Sequence, residues 1–251
     1  MSVVLGFDTA TDATVVGLTR AGREPLELTH SPEPGQRPGH AQHLLPLVHQ
    51  LLEQGGVGFG DLARIGVGVG PGTFTGLRIG VATARALAQS SGAELAGVST
   101  LQALAAAVFG PVVSGPSAEA AQGADAVGPG HDGPVLSVLD ARRGEAFVAL
   151  YDRGVRGVPR TLRPAAAVAP ADLGVAAEDV PGAILAVGEG AVRFREQLET
   201  AGAAVPADGS PLHRVNAIAL CRLALTAEPV DRDALIPEYV RAPDAELRRP
   251  S

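Results

Sequence analysis

The chain contains 251 residues, carries a formal charge of -7, and is 46% hydrophobic but only 3% aromatic. This apolar content is enough to bury a core, in one large domain or in two small lobes. The negative charge argues against the broad basic surface that gives proteins sequence-independent affinity for nucleic acid. Cys221 is the one cysteine, so neither an internal disulfide nor a cysteine metal cluster can form.

The start of the sequence resembles a strand rather than an export signal. Met1 to Leu5 lacks the basic region, long apolar segment and cleavage site of a signal peptide. No charge-free apolar run reaches membrane-spanning length. We therefore expect a cytoplasmic protein in a reducing compartment, with no membrane partner.

The first elements predicted along the chain are a hairpin, a third strand and a helix. Alternating apolar residues indicate three strands, at 3–7, 14–18 and 25–28. After a proline-rich loop, a helix should cover 42–54, and Gly55-Gly56 should end it. Its apolar stripe contains Leu45, Val48 and Leu52.

The most specific pattern in the chain is a glycine-rich run at 66–80. Ile65, Val67 and Val69 alternate with glycines, which predicts a strand with one face of bare backbone. Another element can pack closely on such a face.

A second helix should follow this strand and run to about Ser91. Small residues recur every four positions on one stripe of it, at Gly76, Gly80, Ala84 and Ala88. Glycine in a helix costs about 1 kcal/mol relative to alanine, so a neighbour must come very near. The neighbour is either the chain's own sheet or a helix of another subunit, and periodicity does not choose between them.

The glycine run does not match the common nucleotide or hydrolase motifs. All 20 residues counted as lysine or arginine are arginine, which excludes a Walker site. Starting at Gly66 or Gly70, the sixth position is Pro71 or Thr75 rather than the glycine of a dinucleotide fingerprint. The chain has no Gly-x-Ser-x-Gly elbow.

The remaining elements are shorter. Strands are expected at 95–98, 135–139, 146–151 and 184–187, and helices at 100–108, 191–200 and 216–226. The last helix is expected to return to the first lobe. We interpret Arg153, Arg156, Arg160 and Arg163 as solvated arginines on a loop.

Several motifs together resemble one protein family. Residues 70–80 read Gly-Pro-Gly-Thr-Phe-Thr-Gly-Leu-Arg-Ile-Gly, which is similar to the signature of the bacterial TsaB (YeaZ) family. Shorter segments agree in order and spacing; they are 7–11, 40–46, 97–101, 139–145, 187–190 and 237–241. The resemblance spans nearly the whole chain and is weakest at 109–134 and 160–181.

The resemblance implies an α/β fold with two lobes, the actin-like ATPase and sugar-kinase (ASKHA, RNase H-like) fold. We expect residues 1–109 to form the first lobe and residues 135–213 to form a smaller second lobe. A flexible loop rich in Gly, Pro and Ala should cover 110–134, and residues 214–251 should form the C-terminal helix and tail.

In that superfamily the first hairpin surrounds nucleotide phosphates, which makes Asp8, Thr9 and Gly188 the nucleotide-proximal candidates here. The simpler interpretation, which we favour, is that Asp8 and Thr9 close the turn by bonding to backbone. Likewise, a glycine turn at 188 needs no ligand to explain it.

The resemblance also bears on metal binding. The catalytic relatives follow the Gly97-Val98 segment with two histidines four apart, which can hold one ion on a helix face. Here those positions are Thr100 and Leu104, so we expect no metal site and no catalytic residues. His40 and His43 are three apart at a helix start, where histidines more often cap the helix or face solvent.

The resemblance therefore implies a pseudoenzyme, a non-catalytic subunit in threonylcarbamoyl transfer to N6 of adenosine 37 of tRNAs that read codons starting with A. Its expected partners are a TsaD-type catalytic paralogue in a heterodimer and a TsaE-type small ATPase, with tRNA reached only through the complex and a homodimer also open. No cofactor is expected on the isolated chain, while ATP or ADP can lodge at the complex interface.

The two long helices, 42–54 and 75–91, are expected to form the interface with the paralogue. The candidate contact residues are Leu45, Val48, Leu52, Phe74, Gly76, Leu77, Gly80 and Ala84. The alternative function is a stand-alone ATP-dependent phosphotransferase of the same superfamily. Asp8 and Asp140 are the candidates for its general base.

Overall fold

The structure, a computed structural model, describes residues 2–33, 35–110, 131–177 and 180–240. The strands are β1 (Val3–Asp8), β2 (Thr14–Arg20), β3 (Leu26–His30), β4 (Leu62–Gly70), β5 (Glu94–Ser99), β6 (Val135–Arg142), β7 (Glu145–Asp152), β8 (Arg160–Val168) and β9 (Leu185–Val187). The helices are α1 (His40–Gly55), α2 (Phe74–Ser91), α3 (Thr100–Phe109), α4 (Glu189–Arg193), α5 (Arg195–Thr200) and α6 (Ala217–Thr226). Short 3-10 turns lie at Phe59–Asp61, Val155–Gly157, Pro170–Asp172, Val175–Ala177 and Pro211–His213.

The first sheet has the strand order β3-β2-β1-β4-β5. Strands β1, β2 and β3 pair antiparallel, while β4 pairs parallel with both β1 and β5. Side chains such as Leu5 and Phe7 on one face pack with the buried stripes of α1 and α2. Val4 and Val15 on the other face belong to a different cluster, formed with α3 and α6.

The second sheet has the order β8-β7-β6-β9, in which only the β6–β9 pair is parallel. Val135 and Leu139 on one face join the cluster that contains α3 and α6. Leu136 and Val138 on the other face pack against Phe194 and Leu198 of the α4–α5 region. Helices α3 and α6 therefore share one apolar core with both sheets.

The close approach predicted for the glycine face of β4 is confirmed: α6 packs on Gly66 and also on Gly17 of the neighbouring strand β2, while Gly68 of β4 faces the Asp8 side chain. A Cβ atom added to Gly66 would lie 2.5 Å from Ala224 Cβ, and one added to Gly17 would lie 2.8 Å from the backbone carbon of Ala217. Residues with side chains at these positions would push the helix away. The glycines thus let α6 approach the sheet at backbone distance.

Charged side chains of the first sheet hold both ends of α6. The Glu27 carboxylate of β3 accepts hydrogen bonds from the amides of Ala217 (2.7 Å) and Ile218 (3.2 Å). At the other end, Arg64 of β4 donates to the carbonyls of Ala224 (2.8 Å) and Ala227 (3.0 Å). Each charge has the sign that the helix dipole favours at its end.

Most predicted elements are confirmed with shifts of one to three residues at their ends. The helix predicted at 191–200 is instead α4 and α5, which are separated at Phe194. Strand β8 was missed, and the interpretation of Arg160 and Arg163 as loop residues is wrong because both lie in this strand.

The domain boundaries stay predictions. Residues 111–130 of the predicted loop and 241–251 of the predicted tail lie outside the described residues. Within the described part, no helix is long and apolar enough to span a bilayer.

We expect the Gly17→Ala substitution to lower the free energy of unfolding by about 1–3 kcal/mol, because the added methyl group overlaps the backbone of α6. Gly60→Ala is the matched control, since a Cβ there would meet nothing within 4 Å. Urea unfolding of both variants checks this. Equal stabilities would mean that the sheet and α6 do not pack this closely.

Candidate functional site

The turn between β1 and β2 begins at Asp8, whose carboxylate is fully buried. Its Oδ1 accepts a hydrogen bond from the amide of Ala10 (2.6 Å), and its Oδ2 accepts one from the Thr100 hydroxyl (2.9 Å). Burial raises the pKa of Asp8 to about 6, although these two hydrogen bonds lower it. The turn-closing role favoured from the sequence agrees with the Ala10 contact, while the Thr100 contact was not foreseen.

Thr9, the next residue, explains the small-residue stripe of α2. Its hydroxyl donates to the carbonyl of Gly76 (2.8 Å). A Cβ on Gly76 would overlap the backbone carbonyl of Thr9, and one on Gly80 would lie 2.5 Å from the Thr9 hydroxyl. Of the two interpretations, the stripe therefore packs within the chain, against the β1–β2 turn.

This packing corrects the list of candidate contact residues. Six of the eight are buried in the interior of the chain; they are Val48, Leu52, Gly76, Leu77, Gly80 and Ala84. Only Leu45, which is 51% exposed, and Phe74, which is 42% exposed, present their side chains to solvent. The interface itself stays a prediction, and within the candidate list it rests on Leu45 and Phe74.

An exposed aromatic group lies at the start of α2. The rings of Phe74 and Tyr239 have centroids 5.3 Å apart, and the Arg78 guanidinium lies 3.7 Å from the centroid of Phe74. Arg78 Nε also donates to the Tyr239 hydroxyl (3.1 Å). We call Phe74, Arg78 and Tyr239 the aromatic patch.

The aromatic patch depends on the C-terminal segment of the described chain. The amide of Glu238 donates to the carbonyl of Val69 (2.7 Å), and Asp233 pairs with Arg85 of α2 (2.8 Å). These contacts hold Tyr239 beside Phe74. Sequence reasoning noted the 237–241 motif but assigned it no position, because nothing in the local pattern shows which helix it meets.

Charged side chains gather where the two sheets face each other. Arg142 Nη2 lies 2.7 Å from Asp12 Oδ1, and Arg193 Nη1 lies 2.6 Å from Asp140 Oδ2. Glu189 faces the same group: burial, then the Asp12 charge, raises its pKa to about 7, while Arg142 opposes the shift. Asp8 and Asp140, the two sequence candidates, therefore both act electrostatically on Glu189.

Gly188, the third nucleotide-proximal candidate, has a φ of 102°, which favours glycine. Its amide donates to the carbonyl of Leu212 (3.2 Å), and its carbonyl lies 3.0 Å from His213 Nδ1. A Cβ at this position would overlap the carbonyl of Val138. Contacts within the chain therefore account for this glycine.

The positions that correspond to the metal-binding histidines are used for packing. Thr100 is fully buried and bonds to Asp8, while Leu104 is 1% exposed within the shared core. Leucine has no lone pair to give a metal ion, so these residues do not fit such a site. Among the described residues, no three His, Cys, Asp or Glu side chains are arranged to hold a metal.

The histidines at the start of α1 differ from expectation. His40 is buried rather than solvent-facing, and its Nδ1 lies 2.8 Å from the Thr14 hydroxyl of β2. His43 stacks on His30 of β3, with ring centroids 3.6 Å apart. Both histidines attach α1 to the first sheet.

Comparison with known proteins gives consistent results. The sequence model of one family, described as "TsaD: tRNA N6-adenosine threonylcarbamoyltransferase", matches residues 32–177. The TsaB protein of Escherichia coli is 32% identical over 62% of this chain and 57% of its own length, and that of Bacillus subtilis is 28% identical over 83% and 82%. An uncharacterized Mycobacterium tuberculosis protein is 34% identical over 68% of this chain and 69% of its own length.

A solved structure of YeaZ from Pseudomonas aeruginosa superposes with a TM-score of 0.74 at 28% identity, covering 95% of this chain and all of that one. The chain belongs to the TsaB (YeaZ) family. Membership confirms the predicted two-lobed actin-like fold. The alignment with the E. coli relative spans only a little over half of that protein.

For a TsaB-family chain, the Thr9–Gly80 contact gives a diagnostic substitution. Gly80→Ala should lower the free energy of unfolding by about 1–3 kcal/mol, whereas alanine in a helix normally raises it by about 1 kcal/mol. In a Thr9→Ala background, which lacks the opposing hydroxyl, Gly80→Ala should lower the free energy of unfolding clearly less. Chemical denaturation of the four members of this cycle measures the coupling; additive effects would contradict the contact.

The raised pKa of Asp8 predicts a pH effect. Because the folded state holds this proton more tightly than the unfolded state, Asp8 favours folding at low pH and less so as pH rises from its ordinary value of 3.8 through about 6. Asp8→Asn should remove that decline, which is about 3 kcal/mol. Unfolding free energies of both proteins at several pH values test this, and parallel curves would refute it.

Proposed function

We propose that this chain takes part in making threonylcarbamoyladenosine in tRNA, as a non-catalytic subunit that binds and organises a metal-bearing TsaD-type paralogue. The names of the E. coli and B. subtilis relatives support the pathway. The observation that carries the non-catalytic role is the use of Thr100 and Leu104 for packing, at positions where catalytic relatives have ligands. The chain keeps the fold of that enzyme without its metal chemistry.

In this proposal the partner binds the exposed sides of α1 and α2. The aromatic patch and Leu45 offer the apolar and cationic groups that are common at the centres of protein interfaces. The buried glycine stripe contributes indirectly, because it sets how α2 lies on the β1–β2 turn. A second copy of the chain is an alternative occupant of the same surface.

Contact with tRNA is proposed to run through the complex. Three of the four arginines at 153–163 make contacts within the chain: Arg160 pairs with Asp152 (2.6 Å), and Arg163 donates to the carbonyl of Val175 (2.6 Å). Arg153 donates to the carbonyls of Phe109 and His131. A TsaE-type ATPase and interface-bound ATP or ADP belong to the same proposed assembly.

The phosphotransferase alternative has weaker support. Its two candidate bases are both engaged, Asp8 by Ala10 and Thr100, and Asp140 by Arg193. No observation on the described residues favours it over the subunit role.

The role is tested with purified proteins, metal, threonylcarbamoyl adenylate and tRNA, followed by mass spectrometry of the digested nucleosides. We expect unmodified tRNA with this chain alone and modified tRNA when the TsaD-type partner is added. Sustained modification by this chain alone would overturn the non-catalytic role. Full modification by the partner alone would overturn the need for this subunit.

The surface is tested separately by affinity. Phe74→Ser and Tyr239→Ser should each weaken binding to the partner about tenfold or more, because both truncate an exposed aromatic anchor. Val155→Ser is the control, since Val155 is 81% exposed on the second lobe. If both variants retain full affinity while folding normally, the patch is not part of the interface, and the subunit role remains to be judged by the modification assay.

A further inference from the structure

One ion pair crosses the cleft between the two sheets. Asp12 belongs to the β1–β2 turn of the first sheet, and Arg142 ends strand β6 of the second. They are joined at 2.7 Å, while Asp140 Oδ2 lies 3.6 Å from Arg142 Nη1 and 2.6 Å from Arg193 Nη1. We call these four residues the cleft clasp.

The β6–β7 turn has an unusual backbone that presents Arg142 to the first lobe. Arg142, Arg143 and Gly144 all have positive φ, at 61°, 55° and 79°. Two consecutive non-glycine residues in the left-handed region are uncommon and cost free energy. The pairing register shifts between Asp140 and Arg142, and the Arg142 amide donates to Asp140 Oδ1 (2.8 Å). This cost in free energy falls at Arg142, whose side chain reaches Asp12 across the cleft.

Glu189, the first residue of α4, lies one helical turn before Arg193, whose guanidinium pairs with Asp140 of the clasp, so Glu189 lies on the helix face next to the clasp. The charges that act on it are Asp12, Asp140 and Asp8, which disfavour its ionisation, and Arg142, which favours it. On the neighbouring 3-10 turn, His213 is held between the carbonyls of Gly188 and Pro206. With Glu189 neutral, two guanidinium groups balance two carboxylates in the clasp; with Glu189 ionised, the carboxylates are in excess.

We propose that the cleft clasp is a conformational device that holds the β1–β2 turn to the β6–β7 turn, and that ionisation of Glu189 weakens it. The direction follows from linkage. Because the closed cleft disfavours the charged form of Glu189, raising the pH through about 7 favours arrangements in which the cleft is wider. Arg142 and Asp12 are both about half exposed, so their ion pair is weak enough to break and re-form when the charge of Glu189 changes.

The test is hydrogen exchange of the full chain, read by mass spectrometry and corrected for intrinsic rates. Arg142→Ala should speed exchange about two- to fivefold, as expected for a half-exposed ion pair, in peptides covering 8–14 on the first lobe as well as 140–145. Asp12→Asn should do the same in 140–145. Arg160→Ala, which breaks a pair inside the second lobe, is the control and should leave 8–14 unchanged.

The pH arm compares the same peptides at pH 6 and pH 8. In the unsubstituted chain, corrected exchange in 8–14 and 140–145 should be faster at the higher pH, and Glu189→Gln should remove most of that difference. If the effects of Arg142→Ala stay within 140–145 and those of Asp12→Asn stay within 8–14, the clasp does not join the lobes and the proposal is overturned. If Glu189→Gln leaves the pH difference intact, ionisation of Glu189 does not weaken the cleft clasp, and that part of the proposal is overturned.

Discussion

The architecture depends on the contact between the glycine face of the first sheet and α6. Dispersion forces fall steeply with distance, so a helix seated at backbone distance gains many contacts that a Cβ layer would prevent. The space for α6 is left by Gly6, Gly17 and Gly66, and residues of α6 occupy it. Because α6 also packs against α3, and α3 against the second sheet, the same contact sets the position of both lobes in one core.

The β1–β2 turn is the second organising feature, since both α1 and α2 contact it or the residues beside it. Thr9 fixes α2 through Gly76, the carbonyl of Ala10 accepts from the amide of Thr73, and Thr14 holds His40 of α1. In nucleotide-using members of the fold this turn surrounds phosphates, whereas here its polar groups are occupied by the chain's own helices and by Thr100. The turn thus connects the first sheet to helices of the same chain.

Sequence reasoning succeeded where a pattern repeats and failed where the partner is remote. Alternating glycines in β4 showed that something packs closely, but only the fold reveals that the close neighbour of Gly66 is α6, that of Gly68 is Asp8 and that of Gly70 is Glu238. The stripe of α2 has the same ambiguity, because close approach leaves the same signature whether the neighbour is a turn or another subunit. Strand β8 was missed because proline and consecutive alanines have low β propensity, and an edge strand requires less of its sequence. The aromatic patch joins residues far apart in sequence, so no local signal could reveal it.

The attachment of α6 by Glu27 and Arg64 also determines when the first sheet can be completed during synthesis. The ribosome releases the five strands of that sheet and α3 long before residues 217–226, yet one face of the sheet lacks the cover that α6 provides until those residues emerge. Residues 1–109 alone therefore lack part of the cover of the first sheet. A nascent chain stopped before α6 would expose Gly6, Gly17, Gly66 and their apolar neighbours to solvent. Such an exposed apolar surface either binds chaperones or leads to aggregation.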